Sequence, residues 1–401
     1  MSRSTFRLVM LISCAHALVH TFELSLPAVE QMIGDEFNVG TDRTGALGTV
    51  WRLPFGLAAM LAGWLADRYG SRLMLIVYLV GCSTTAVLAW WAPSLGVLFG
   101  VMFAMGCFAS IYHPAGLALI SRETTPETRG AALGWHGIIG SLGIAGAPFA
   151  AMLVFSTGAV DWRQYYLLLV IPAAIVAMLL GLSLMRSRPS VDAEPADPSA
   201  ISSPAVRESI FSRPFLILVA SGALSGFVYA AFMHFLPRYL GNAGLRPDNW
   251  TPESFRNALA AAVLLCAAVG QAIAGRLCRP GRLEKLLVIV FLANVPPLLW
   301  MSLAEGYSRF VAACLLALIH FMNQPVYNSL IAQFIPLSRR SVGYGFSNMM
   351  CFGIGALGPL CAGLIESERT VYAGLAGVAG LAGLVAVVLM RQVQRNPLPP
   401  Q

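Results

Sequence analysis

Six histidines (His16, His20, His113, His136, His234 and His320), with Glu23 and Arg52, interrupt stretches of the chain that are otherwise apolar. Groups of this kind are costly to bury in hydrocarbon, and they usually face a bundle interior or a watery cavity. Histidine and a desolvated carboxyl group can carry protons near neutral pH. His16, His20, His113 and Glu23 are therefore candidates for proton coupling. Arg52 can neutralise Glu23 or receive an anionic group on a substrate. His136, His234 and His320, with Asn323, Gln324 and Tyr327 around Pro325, are candidates for lining a substrate cavity. The plainer alternative is that these groups are hydrogen-bonded packing elements between helices.

A second cluster of charge is the segment Gly63-Trp64-Leu65-Ala66-Asp67-Arg68-Tyr69-Gly70-Ser71-Arg72. It places an acid, two arginines and two turn-forming glycines between apolar runs of membrane-spanning length. Charges like these mark a short loop at a membrane surface.

The elements that position these residues follow from composition. Of 401 residues, 57% are hydrophobic and 11% charged, with a mean hydropathy of +0.71; a soluble domain carries about 25% charged residues. The runs are long and unalternating, unlike the ~10-residue alternating strands of a membrane barrel. At ~20 residues per span, about twelve helices are expected, near 6–32, 44–66, 73–92, 95–121, 129–155, 164–185, 213–240, 255–277, 283–303, 307–335, 341–365 and 370–391. The first run exceeds the ~7–15 residues of a signal-sequence core and reads as a span. With both termini placed in the cytoplasm, the cytoplasmic ends collect Arg3, Arg7, Arg68, Arg72, Arg122, Arg129, Arg186, Arg188, Arg207, Arg213, Arg276, Arg279, Arg282, Lys285, Arg339, Arg340, Arg391 and Arg395, 18 of 26 basic residues. This asymmetry fits the positive-inside rule and attributes the net charge of +7 to topology, so no nucleic-acid partner is expected. Counting ~1.5 Å per residue sets Glu23 and Arg52 about 12–14 Å from the outer ends of their spans, close enough to pair. His16, His113 and His136 come about 10–13 Å from the inner ends.

Residues 187–204 are rich in Pro and Ser, as a linker is. The expected division is 1–186, a linker at 187–210, and 211–401. The halves echo each other: Pro114/Pro325, Leu119/Leu330, Ile120/Ile331, Arg129/Arg340, Gly134/Gly345 and Pro148/Pro359 are each 211 residues apart. Gly134, Gly137, Gly140, Gly143 and Gly146 recur at every third position and predict a smooth ridge for close helix approach. The eight cysteines form no Cys-x-x-Cys pair, and no P-loop or Gly-x-Ser-x-Gly is present. Neither a metal, a cofactor nor an enzymatic activity is expected.

The Gly63–Arg72 segment resembles the loop between helices two and three of the major facilitator superfamily. The resemblance implies a gating loop in which Gly63, Asp67, Arg68, Gly70 and Arg72 help to latch the two halves in one state, with Asp67 facing an arginine or a helix N-terminus. His113-Pro114, Ser13-x-x-His16 and the following glycine-rich span are similar to its fosmidomycin-resistance branch. The resemblance implies an all-α membrane protein with twelve transmembrane helices in two pseudo-symmetric six-helix bundles. It also implies a monomeric secondary transporter in a bacterial inner membrane, coupling protons to export of a small drug or organic anion. Import of a nutrient, uncoupled facilitation and a non-transporting receptor or assembly component stay open as alternatives.

Overall fold

The computed structural model describes residues 1–186, 211–279, 281–335 and 340–396. The expected linker at 187–210, which includes Arg188 and Arg207, lies outside the described residues, as does Arg339. Among the described residues every regular element is a helix. The first half holds α1 (Arg3–Phe37), α2 (Thr41–Leu57), α3 (Ala59–Tyr69), α4 (Ser71–Trp91), α5 (Leu95–Ala109), α6 (Tyr112–Glu123), α7 (Pro126–Phe155) and α8 (Trp162–Arg186). The second holds α9 (Arg213–Gly241), α10 (Pro252–Leu277), α11 (Leu283–Ala293), α12 (Val295–Leu303), α13 (Tyr307–Phe321), α14 (Asn323–Phe334), α15 (Arg340–Gly355), α16 (Leu357–Gly363) and α17 (Glu368–Arg395). Eleven segments are long and apolar enough to cross a membrane, and α2 with α3, bent by 47°, makes a twelfth.

Caps and prolines written into the sequence set the ends and breaks. The hydroxyls of Ser2 and Ser212 accept from the amides of Thr5 and Phe215, starting the first span of each half alike. A proline has no N–H for the carbonyl four residues back. Accordingly α5 gives way to α6 just before Pro114, α13 to α14 just before Pro325, and α15 to α16 just before Pro359. The helices after the first two breaks, Tyr112–Glu123 and Asn323–Phe334, are both 12 residues long with bounds 211 apart. The duplication therefore extends to where the backbone breaks. Pro148 behaves differently from its counterpart Pro359, because α7 runs through it unbroken.

The charged Gly63–Arg72 segment corrects the expectation of a loop. Helix α3 continues to Tyr69, so Gly63, Asp67 and Arg68 are helical. The reversal into α4 is made by Gly70 alone at φ +92°, a conformation that penalises any Cβ. The glycine ridge is also only partly used. A Cβ on Gly140 would strike the His16 ring and one on Gly143 the backbone of Ala17, whereas Gly134, Gly137 and Gly146 face open space. Helix α1 lies along α7 from the Phe6–Trp135 ring contact to the packing of Leu24 on Ile144 and Ala147, and only the glycines on that face are needed for the close approach.

Each half has its own apolar core, one around Tyr78, Tyr112 and Trp51, the other around Phe215, Phe291 and Leu330. A third cluster joins the halves, with Leu24, Ile144 and Ala147 packed among Phe232, Leu236 and Leu264.

Candidate functional site

The inner wall of the first half is where α1, α2, α6 and α7 meet, and it brings six of the eight ionisable candidates together. His136 Nε2 lies 3.0 Å from the Tyr112 hydroxyl. The His136 carbonyl accepts from His16 Nδ1 at 2.9 Å. His16 Nε2 and His20 Nε2 are 3.2 Å apart, and His20 Nδ1 is 2.9 Å from Glu23 Oε2. The other Glu23 oxygen accepts from Arg52 Nη1 at 2.7 Å. The count of residues along α1 and α2 expected this ion pair. Its side chains are 2% and 5% exposed, so the two charges are balanced away from water.

Stacking holds the rings in place. His16 and His136 are parallel with centroids 4.0 Å apart, and His16 stacks on Tyr112 at 5.1 Å. His113 meets His16 edge-on at 5.3 Å. His136, expected on a substrate wall, thus belongs to the ladder formed by the proton-coupling candidates. His16, His20 and His113 present ring nitrogens within 4.8 Å of one another, a spacing that suits a transition metal and that the fold, not the sequence interval, creates. A metal would have to displace the bonds His20 already makes to His16 and Glu23, so the cluster as built is a hydrogen-bonded ladder.

The second half meets the ladder at one point. The Tyr229 hydroxyl on α9 lies 3.4 Å from Glu23 Oε1, and the Arg52 guanidinium sits 5.6 Å from the centre of the Tyr229 ring. His234, also on α9, is 1% exposed. Neither of its ring nitrogens has a hydrogen-bond partner, and Arg52 Nη2 likewise has none. Of the remaining second-half candidates, His320 stacks on Tyr229 with centroids 6.1 Å apart, and the others are dispersed. His320 bonds Asn294 at 3.1 Å, Asn323 bonds Ser225 at 3.2 Å, Gln324 bonds Gln271 at 2.6 Å, and Tyr327 bonds Ser347 at 2.8 Å. Tyr327 and Ser347 stand 211 residues from Gly116 and His136. The second half keeps the scaffold without a histidine ladder.

A different set of bonds joins the halves at the face opposite the chain termini, and sequence reasoning missed it. Arg238 donates from Nε and Nη2 to both oxygens of Glu30 at 2.8 and 2.9 Å. Thr44 also donates to Glu30. Arg256 reaches Gln31 at 2.8 Å, Thr41 bonds the Gly363 carbonyl at 2.9 Å, and Thr251 bonds the Phe155 carbonyl at 2.7 Å. Glu30 and Arg238 both stand near the ends of their expected spans, and that shared position was the available signal. Toward the terminal face these bonds give way. Asp67 pairs with Arg122 at 2.9 Å and Arg72 with Glu123 at 2.6 Å, both within the first half. Among the described residues, hydrogen bonds between the halves run from the opposite face to Ser141–Gln271 at mid-height and no further. Among the described residues the hydrogen bonds that close one half on the other thus lie between mid-height and the face opposite the termini.

The model of the Major Facilitator Superfamily matches residues 10–359. A stretch of 166 residues is 34% identical to the puromycin resistance protein pur8 of Streptomyces alboniger, covering 41% of this chain and 32% of that protein. A stretch of 237 residues is 24% identical to a probable L-galactonate transporter of Escherichia coli (strain K12), covering 55% of this chain and 50% of the relative. The matches thus span half or less of these relatives' own length. Among solved structures, a bacterial homologue of the human lysosomal transporter Spinster, inward-facing and unoccupied, superposes with a TM-score of 0.83 at 15% identity over 100% of both chains. Twelve spans in two like halves, a charged hinge between the second and third, and a family match over most of the sequence agree: the chain belongs to the Major Facilitator Superfamily.

Proposed function

We propose that the protein is a proton-coupled secondary transporter that exports a small molecule by alternating access, acting as a monomer in a bacterial inner membrane with both termini in the cytoplasm. Residues 1–186 and 211–401 are the two bodies that rock, and the segment between them is the tether. With the termini inside, the closed face is external and the face of the termini internal, so the chain is inward-facing.

The observation that carries this reading is Glu23. It is an acid 3% exposed, held by Arg52 and His20 in one half and approached by Tyr229 from the other. A group placed there feels both its own proton and the position of the second half, which is what coupling requires. Arg52 Nη2 and His234, both buried without partners, offer polar atoms to a substrate at the same boundary. His113-Pro114 and Ser13-x-x-His16 favour the fosmidomycin-resistance branch. The partial likeness to a puromycin resistance protein supports export. The likeness to an L-galactonate transporter supports import as the second reading, by the same fold and the same coupling.

The test is flux in proteoliposomes. A panel of drugs and organic acids is first screened for thermal stabilisation of the detergent-solubilised protein, since a ligand that binds the folded state raises its melting temperature. Flux of the hits is then measured under pH gradients of both signs. Coupled export predicts uphill movement against the proton gradient, lost in Glu23→Gln. Flux indifferent to the gradient overturns the coupling.

A further inference from the structure

The hydrogen-bond partners in the ladder fix how many protons it holds. A carbonyl oxygen only accepts, so His16 Nδ1 must carry a hydrogen to bond the His136 carbonyl. The Tyr112 hydroxyl donates its one hydrogen to the Ile12 carbonyl at 2.8 Å. It must therefore accept from His136 Nε2, which makes neutral His136 a bystander with its hydrogen on Nε2. A neutral His16 then has only a lone pair on Nε2, facing His20 Nε2 at 3.2 Å. His20 sits between that lone pair and a Glu23 oxygen at 2.9 Å.

With both histidines neutral and Glu23 ionised, His20 has one N–H for two acceptors. One of its two contacts then becomes lone pair against lone pair. A single added proton satisfies every contact, and it does so in three ways. It can sit on Glu23, whose O–H then donates to His20 Nδ1 while His20 Nε2–H donates to His16. It can make His20 doubly protonated between an ionised Glu23 and a neutral His16. Or it can make His16 doubly protonated, donating from Nε2 to His20 while His20 Nδ1–H donates to Glu23. The three forms interconvert by short transfers. As the Glu23 O–H breaks, His20 Nδ1–H forms; as His20 Nε2–H breaks, His16 Nε2–H forms. No proton or electron is gained or lost.

We infer that this conformation holds one labile proton, shared along Glu23, His20 and His16, and that its loss releases His20 from one of its two partners. The inference deepens the proton-coupled reading and rests on the same site. The charged and titratable groups facing the shared proton are Arg52 on α2, His113 and Tyr112 on α6, His136 on α7 and Tyr229 on α9. Arg52 is a fixed positive charge against Glu23, so it favours the forms in which the proton sits on an imidazole rather than on the carboxyl group, and His16 is the end of the ladder nearer the chain termini. The ladder is thereby a one-proton wire from the boundary with the second half toward the internal side. His20 is its swivel.

The wire makes an unusual demand on Glu23→Gln. A carboxamide oxygen still accepts from Arg52, and its NH2 can donate to His20 Nδ1. The variant satisfies the whole ladder with no labile proton. Ring-15N-histidine full-length protein, with Cys14→Ser and Cys361→Ser, is cross-linked across the closed face through Gln31→Cys and Arg256→Cys. It is then reconstituted in phosphatidylethanolamine–phosphatidylglycerol vesicles and followed by solid-state NMR from acid to alkaline pH. The His20 ring signals of the otherwise wild-type chain should move as the proton leaves, with loss of either the His16–His20 N–H···N coupling or the His20–carboxyl contact. In Glu23→Gln they should stay fixed and the coupling should persist. His20 signals that stay fixed without the Gln substitution, or move equally with it, overturn the inference. The outcome is separable from transport. A moving His20 with flux indifferent to pH gradients keeps the wire and removes the coupling, while coupled flux with a silent His20 removes the wire and keeps the coupling.

Discussion

Arg238 grips Glu30 with two parallel hydrogen bonds across the boundary between the halves, and Glu30 is 1% exposed. Removing one member of a buried pair leaves the other charge uncompensated, at about 3–5 kcal/mol. The closed conformation should therefore bear that loss in Arg238→Met, and the population should shift toward opening at the face opposite the termini. Thiol labelling of a cysteine introduced at Thr41 reads this directly, with faster labelling expected in Arg238→Met than in the parent. Pairing Arg238→Met with Glu30→Met removes both charges and should restore slow labelling. Equal labelling in all three proteins would deny the pair its role as a clasp.

Tyr229→Phe removes one hydroxyl, and with it the only hydrogen bond between Glu23 and the second half among the described residues. A hydrogen bond to a charged group contributes about 1.5–3 kcal/mol at good geometry, and this one is long at 3.4 Å, so the melting temperature should fall only modestly. The transport consequence should be larger, because the ladder no longer senses the other body. The ratio of protons to substrate moved in proteoliposomes should fall in Tyr229→Phe while binding of a screened ligand survives. An unchanged ratio would make Tyr229 a packing residue.

The Asp67–Arg122 pair has side chains 72% and 54% exposed, and pairs of this kind are worth about 0–1 kcal/mol. Asp67→Asn should leave detergent stability within about that range. If the Gly63–Arg72 segment acts in the state opposite to this one, flux should nevertheless drop severalfold. Flux equal to the parent would reduce the segment to a topology signal.

Helix α7 supplies its own control. Gly143→Ala drives a methyl into the backbone of Ala17, whereas Gly134→Ala meets nothing. Overpacking should destabilise the first by about 1–3 kcal/mol, and better helix propensity should stabilise the second by up to about 1 kcal/mol. Thermal unfolding of the two variants should move in opposite directions. Movement in the same direction would mean that α1 does not pack where described.

Span number and the Glu23–Arg52 pair were legible because each depends on position along the chain alone. Counting residues along two neighbouring helices gives depth, and depth was enough to match an acid to a base. What depends on rotation about a helix axis was not legible. The Tyr229 hydroxyl looked like any aromatic of a span until α9 turned it toward Glu23. The three-histidine spacing came from α6 leaning on α1, which no interval in the sequence records. Glu30 and Arg238 were hidden for a different reason, since a charge at the end of a span looks the same whether it meets water or another bundle. The Gly63–Arg72 segment was misread as a loop because its charges marked the membrane surface, while one left-handed glycine sufficed to turn the chain.

Helices α6 and α14 begin and end at matching positions, yet Tyr112-His113 in one is Asn323-Gln324 in the other. One backbone mould thus occurs twice, and among the described residues the histidine ladder is built on the first copy. If the proposed coupling resides in that ladder, exchanging polar side chains on α14 should change which cargo is accepted and leave proton movement intact, whereas the same exchanges on α6 should not.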